Sequence, residues 1–254
     1  FFFFCICCHF FFSFIIYQAL NTKNFFILNI RYCNFHNSPP YWSKDLIILF
    51  YSTINLTFEK IRYIFKGGNI EYLTLKSLET DCRSCTRCSL AKTRKNVVVG
   101  RGNKKAKLFI IGEGPGKNED ETGLPFVGRA GKLLDQLLEG VGLDSNKDAY
   151  ISNMVKCRPP KNRKPSVEEV DSCSPWLKEQ LKIVNPKIIL LVGATAVEGI
   201  LGVKEGITKI RGSWIVENQI LYMPIFHPSY LLRNSSKELG KPRSLTKQDI
   251  KKVK

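Results

Sequence analysis

Four short apolar runs beyond residue 100 constrain the fold more than any other feature: Lys107 to Gly112, Ala149 to Met154, Lys187 to Gly193 and Ile220 to Phe226. None alternates apolar with polar residues, as a strand with one wet face would, so each reads as a strand covered on both sides. Helical patterns fill the gaps. Gly128 to Val141 carries Leu133, Leu134, Leu137, Leu138 and Val141 at helical spacing. Ser166-Val-Glu-Glu169 is a capping-box start. Ser174-Pro175 reads as a second cap with Pro at the first helical position, and Ala194 to Leu201 follows the third strand directly. The alternation predicts an α/β fold with a central four-stranded parallel sheet flanked by helices. Ligands in such folds sit at the carboxyl ends of the strands, which directs attention to residues just after 112, around 153, after 193 and after 226.

The first 70 residues are of another kind. They hold 14 of the 17 phenylalanines and only eight charged side chains. The division expected is an atypical Phe-rich extension over 1–70 and a globular domain over 71–254. The extension lacks the positive start and small-residue cleavage site of a signal peptide. Phe1 to Leu20 is borderline in length for a membrane helix, which needs roughly 20 apolar residues. AT-rich codons spell Phe, Ile, Asn, Lys and Tyr, so translation of sequence upstream of the true start is the remaining reading. No function is built on this segment. The final residues, around Asp249 to Lys254, read as a helix close to where the sequence stops.

The net charge of +17 favours a polyanionic partner, nucleic acid above all. Nine cysteines are unevenly spread, four in the first 33 residues and five between 82 and 173. Cys85-x2-Cys88 with Cys157-x15-Cys173 suits a 4Fe–4S cluster or a four-cysteine zinc site in a reducing compartment. The wide second spacing favours a cluster, and Cys82 is a spare thiol.

Other candidate residues cluster at the expected strand ends. The glycines of Gly112-Glu113-Gly114-Pro115-Gly116 permit close approach of a ligand or a tight turn. The turn is neither a dinucleotide fingerprint nor a P-loop, and a carboxylate is a poor phosphate cradle. Glu113 suits the orientation of a water or the stabilisation of positive charge on a sugar. Asn153 carries both a donor and an acceptor and so is able to read the hydrogen-bonding edge of a base. His227 is able to donate a hydrogen bond to an oxygen gaining negative charge. It opens a segment that reads as a loop with two exposed leucines beside an arginine, the composition of a wedge that unstacks bases. Lys156, Arg158, Lys161, Arg163 and Lys164 beside Cys157, with Arg129 and Lys132, are candidates for phosphate contact.

Together these motifs resemble the iron–sulfur, or family 4, uracil-DNA glycosylases. The resemblance runs from about Leu78 to Lys254, through Cys85-Thr-Arg-Cys88, GEGPG at 112–116, Gly123-Leu-Pro-Phe-Val-Gly-Arg-Ala-Gly131, Asn153-Met-Val-Lys-Cys-Arg-Pro-Pro160 and HPSYLLRN at 227–234. It implies a 4Fe–4S cluster on Cys85, Cys88, Cys157 and Cys173. It implies Glu113 and His227 as catalytic residues, positioning water and stabilising the departing uracil anion. Gly114, Glu119, Phe126 and Asn153 would contact the base: Phe126 by stacking, Asn153 by reading the edge, Glu119 by disfavouring the methyl group of thymine. Arg158, Arg163 and the stretch Tyr230, Leu231, Leu232 and Arg233 would touch DNA, the last four by pushing into the duplex. Uracil-containing DNA is the expected partner, a monomer the expected state and the cytoplasm, the bacterial nucleoid, the expected location; an organelle or a membrane tether is the alternative if residues 1–70 are real. The cluster is expected to brace Arg158 to Lys164, so that its loss costs DNA affinity before uracil recognition. The rival functions are an iron–sulfur or zinc DNA-binding module without catalysis, and a nucleotide hydrolase using GEGPG as its phosphate turn.

Overall fold

The computed structural model describes residues 63–66 and 69–254, with side chains from Tyr72 onward. Nearly all of the Phe-rich extension, including its apolar start, therefore lies outside the described residues. What is described belongs to one compact unit, Leu56–Lys254.

A short hairpin, β1 (Tyr63–Lys66) and β2 (Asn69–Tyr72), precedes helix α1 (Leu75–Arg83). The main sheet then builds in the order β3 (Arg101–Gly102), β4 (Leu108–Gly112), β5 (Ala149–Asn153), β6 (Ile188–Val192), β7 (Ile215–Glu217) and β8 (Ile220–Ile225). Its spatial order is β3-β5-β4-β6-β8-β7. The four strands expected from the apolar runs form the parallel centre. Two antiparallel edge strands, β3 and β7, extend it to six. They were not foreseen because two- and three-residue strands carry no periodicity.

Alternation along the central strands explains why their sequences are continuously apolar. Leu108, Ile110, Leu190 and Val192 face one helical layer, while Phe109, Ile111, Ile189 and Leu191 face the other. The first layer holds α3 (Arg129–Glu139), α7 (Pro228–Arg233) and α8 (Pro242–Lys251); the second holds α4 (Val167–Val184) and α5 (Ala194–Leu201). The short helices α2 (Lys117–Thr122) and α6 (Ile207–Ile210) sit in connections.

Helix α4 begins as its sequence requires. Ser166 Oγ accepts from Glu169 N at 3.3 Å and Glu169 Oε2 accepts from Ser166 N at 2.9 Å. The second start expected at Ser174-Pro175 does not occur: α4 runs through Pro175 without interruption. Proline cannot donate to the carbonyl four residues back, and Ser174 Oγ supplies that donor, bonding Asp171 O at 3.1 Å.

In chain order the parallel strands lie 2-1-3-4. The direction of winding reverses between β4 and β6, and a crevice opens there beyond the carboxyl ends.

Candidate active site

A cavity of about 190 Å³ lies at this crevice, lined by Glu113 and Gly114 after β4, Asn153 at the end of β5, and His227 after β8. Phe126 and Glu119 from the α2–α3 region, and Pro159, Asn162 and Arg163 from the segment after Cys157, complete its walls. The strand-end rule thus gathers residues more than 100 positions apart in the chain.

Asn153 is 2% exposed, and its Oδ1 has no hydrogen-bond partner, alone among buried side-chain polar atoms of the described residues. Leaving a buried acceptor unpaired costs about 1–3 kcal/mol, so an orphan of this kind marks a place where a ligand donor fits. The ring of Phe126 closes over the same spot. A Cβ on Gly112 would run into both the Phe126 ring and Asn153 Oδ1, so glycine is required there for the cavity to exist.

Phe126 takes a left-handed backbone conformation with φ of 53°. Non-glycine residues held there cost on the order of 1–3 kcal/mol and persist only where neighbours enforce them. Here the enforcer is Arg101. Its guanidinium donates to Pro125 O at 2.9 Å and Phe126 O at 3.4 Å, and pairs with Asp135 at 2.7 Å. Glu119 holds the other side of the turn: Oε1 accepts from Val127 N at 3.0 Å and Gly128 N at 2.7 Å, and Oε2 from Gly116 N at 3.1 Å. Glu119 therefore lines the cavity and also clamps the loop that carries Phe126.

His227 Nδ1 accepts from Ser229 N at 3.1 Å, capping α7. A neutral imidazole whose Nδ1 accepts must carry its proton on Nε2. Burial lowers its pKa below the ordinary 6.5; Arg233 acts in the same direction, while Glu113 and Glu119 oppose. The ring is thus held neutral with an Nε2–H donor available, tilted against Phe126 with centroids 6.3 Å apart. Glu113 accepts a 2.5 Å hydrogen bond from Thr195 Oγ1 in the first turn of α5. Thr195 lies where the strand-end rule points, two residues beyond Gly193, but nothing in its own sequence context marks it. Arg101 is likewise a positioning group that the sequence does not disclose.

The expected DNA contacts divide. Arg233 is exposed, and Arg158 is partly exposed with its Nε on Asn162 Oδ1 at 2.8 Å. Arg163 borders the cavity but its guanidinium is committed to Glu169, at 2.7 and 2.8 Å. The segment 227–234 is not a loop with an exposed wedge. Residues 228–233 form α7, in which Leu231 is 0% exposed and packs into the core against α3. Tyr230 stacks on Phe226 at 5.1 Å and Leu232 also packs on the core, both partly buried. Leu231 therefore cannot enter a duplex, because doing so would empty its core site. Lys156 is also not a surface cation, being 1% exposed.

Cys82, Cys85, Cys88, Cys157 and Cys173 line one small cavity between α1 and α4. No group of three or more potential ligands among the described residues is close enough to hold a metal ion as it stands. N–H donors nevertheless point at three of the sulfurs. Arg94 Nη1 donates to Cys157 Sγ, Trp176 Nε1 to Cys85 Sγ and Lys156 N to Cys173 Sγ, each at 3.3 Å. Burial pushes the Cys157 thiol up to about 11, against the pull of Arg94, and pushes Cys82 higher still.

Residues 99–252 match the family model of the uracil DNA glycosylase superfamily. A type-4 uracil-DNA glycosylase of Thermotoga maritima is 48% identical over 176 residues, spanning 68% of this chain and 88% of the relative. Those of Saccharolobus solfataricus and Sulfurisphaera tokodaii are each 40% identical, covering 71% of this chain and 85% and 83% of the relatives. With both the fold and the strand-end cavity in agreement, the chain belongs to the uracil DNA glycosylase superfamily, in its type-4 branch.

Proposed function

We propose that the chain removes uracil from DNA, hydrolysing the bond between sugar C1′ and uracil N1 to leave an abasic site for base-excision repair. The observation that carries this reading is the orphaned, buried Oδ1 of Asn153. Uracil offers an N3–H donor beside the O4 acceptor, and an Asn amide matches both; cytosine presents the reverse pattern on that edge. The base reaches the cavity by extrusion from the helix. Phe126 supplies a stacking face, and the Glu119 carboxylate on the wall disfavours a thymine methyl group.

As the C1′–N1 bond breaks, its electron pair leaves with uracil and negative charge collects on O2. The His227 Nε2–H, already oriented by the bond between Nδ1 and Ser229 N, donates to that oxygen. Positive charge develops on the sugar. Glu113, fixed through one oxygen by Thr195, keeps the other for a water that adds to C1′ and gives up its proton. Arg158, Lys161 and Arg233 serve the phosphates.

Cys85, Cys88, Cys157 and Cys173 are the residues that would hold a 4Fe–4S cluster, and the three N–H donors aimed at their sulfurs fit that group. When bound, the cluster supplies rigidity to the wall behind the phosphate-contacting segment.

Product analysis tests the reaction. The full chain, incubated in ¹⁸O-water with DNA bearing one uracil, is expected to release free uracil and to place ¹⁸O on the abasic sugar. Release of uracil attached to a sugar, or no release, contradicts the reaction assigned.

A further inference from the structure

Lys156 lies three residues beyond Asn153 and directly before Cys157, yet none of its polar atoms serves solvent. Its Nζ donates to Asn153 O and to Ser152 Oγ, both at 2.7 Å. Its backbone N–H donates to Cys173 Sγ at 3.3 Å. Ser152 Oγ is held in turn by Gln180 Oε1 at 3.0 Å and Val99 O at 2.8 Å. The ionisable groups around the ammonium are the thiols of Cys82, Cys157 and Cys173. Burying a lysine is expensive unless its donors are satisfied and its charge is answered. Here both acceptors of the ammonium belong to the end of β5, at Ser152 and Asn153.

We infer that Lys156 is a positioning residue for base recognition: its ammonium clamps the main-chain carbonyl of Asn153 and so fixes the side chain that reads uracil. The contact of its own N–H with Cys173 Sγ ties the same strand end to the cysteine-bearing wall. The inference rests on Asn153 reading the base. Because the clamp acts on the backbone behind Asn153, it governs uracil recognition without touching DNA.

The test uses the full chain purified without oxygen and the variants Lys156→Met, Lys156→Gln, Ser152→Ala and Asn153→Ala. Three quantities are read: inhibition by free uracil, Kd for uracil-free DNA, and visible absorption with melting temperature. Lys156→Met is expected to weaken uracil inhibition about tenfold, as loss of a charged hydrogen bond allows, while Kd for uracil-free DNA stays within about twofold. Lys156→Gln, which keeps an N–H donor, is expected to recover part of the loss. If Lys156→Met does not fold, Lys156→Gln and Ser152→Ala carry the test, each with a several-fold weakening confined to uracil. Wild-type uracil inhibition in folded Lys156 variants, alongside its loss in Asn153→Ala, overturns the inference alone. Unchanged inhibition in Asn153→Ala overturns the base-reading assignment beneath it. Equal loss of uracil and DNA binding with a lowered melting temperature reduces Lys156 to a structural role and also overturns the inference.

Discussion

His227 and Asn153 do their work through single atoms. Replacing His227 by Ala deletes the Nε2–H donor at the departing oxygen, and kcat is expected to fall about 10²–10³-fold with little change in KM. The pH dependence has a definite sign. The folded state holds His227 neutral more strongly than the unfolded chain does, so below the ordinary 6.5 the unfolded state binds the extra proton. The contribution of this group to stability is therefore intact above 6.5 and erodes as pH falls below it. In the folded protein, protonation of Nδ1, which abolishes the bond from Ser229 N, comes only at a lower pH than in the unfolded chain. Activity is therefore expected to stay flat as pH falls through 6.5 while the melting temperature begins to drop; an activity loss centred at 6.5 or above would contradict this assignment. At this scale the sequence was informative about chemistry and blind to burial. The amide of Asn153 and the imidazole of His227 could be matched to a base and an anion from their donor inventories. The inward turn of Lys156 could not, because its partners Ser152, Asn153 and Cys173 meet only after folding.

Elements carry a second class of consequence. Helix α7 has its buried face at Leu231 and its exposed end at Arg233. Leu231→Ala is expected to destabilise the protein by about 2–5 kcal/mol, whereas Arg233→Ala is expected to weaken DNA binding at unchanged stability; denaturant melts and salt titrations of DNA affinity separate the two. The start of α4 predicts acid behaviour. Arg163 holds the Glu169 carboxyl down at about 2, helped by the Ser166 N–H and Ser89. Its stabilising contribution is present above the unfolded value of 4.5 and is lost as pH falls toward 2. Glu169→Gln should therefore lower stability at pH 6 but flatten its decline in acid, which a pH series of thermal melts reads directly. The parallel strands were legible because burial on both faces writes itself locally as an apolar run. Helix α7 was not, since six residues complete too few turns for a periodic pattern to emerge. Pro175 misled because the compensating hydroxyl of Ser174 looks the same in sequence as a helix cap.

At the scale of the whole molecule, the reversal of winding between β4 and β6 brings Glu113 to Thr195, and the ends of β5 and β8 bring Asn153 and His227 to the same cavity. The cysteine wall backs this cavity through Lys156 and flanks the segment from Arg158 to Lys164. The expectation that losing the cluster costs DNA affinity before uracil recognition therefore holds only if the Lys156–Asn153 contact survives iron removal, and measuring both affinities on the iron-free protein decides it. The central claim is that the strand-end cavity selects and removes uracil. Its most direct test incubates the full chain with an oligonucleotide bearing one uracil, treats the product with alkali and looks for a break at that position. The account predicts a break at uracil, none at cytosine in the same position, and loss of the break in Asn153→Ala. An intact strand from a folded protein that still binds the DNA would contradict it and leave a non-catalytic DNA-binding module as the better reading.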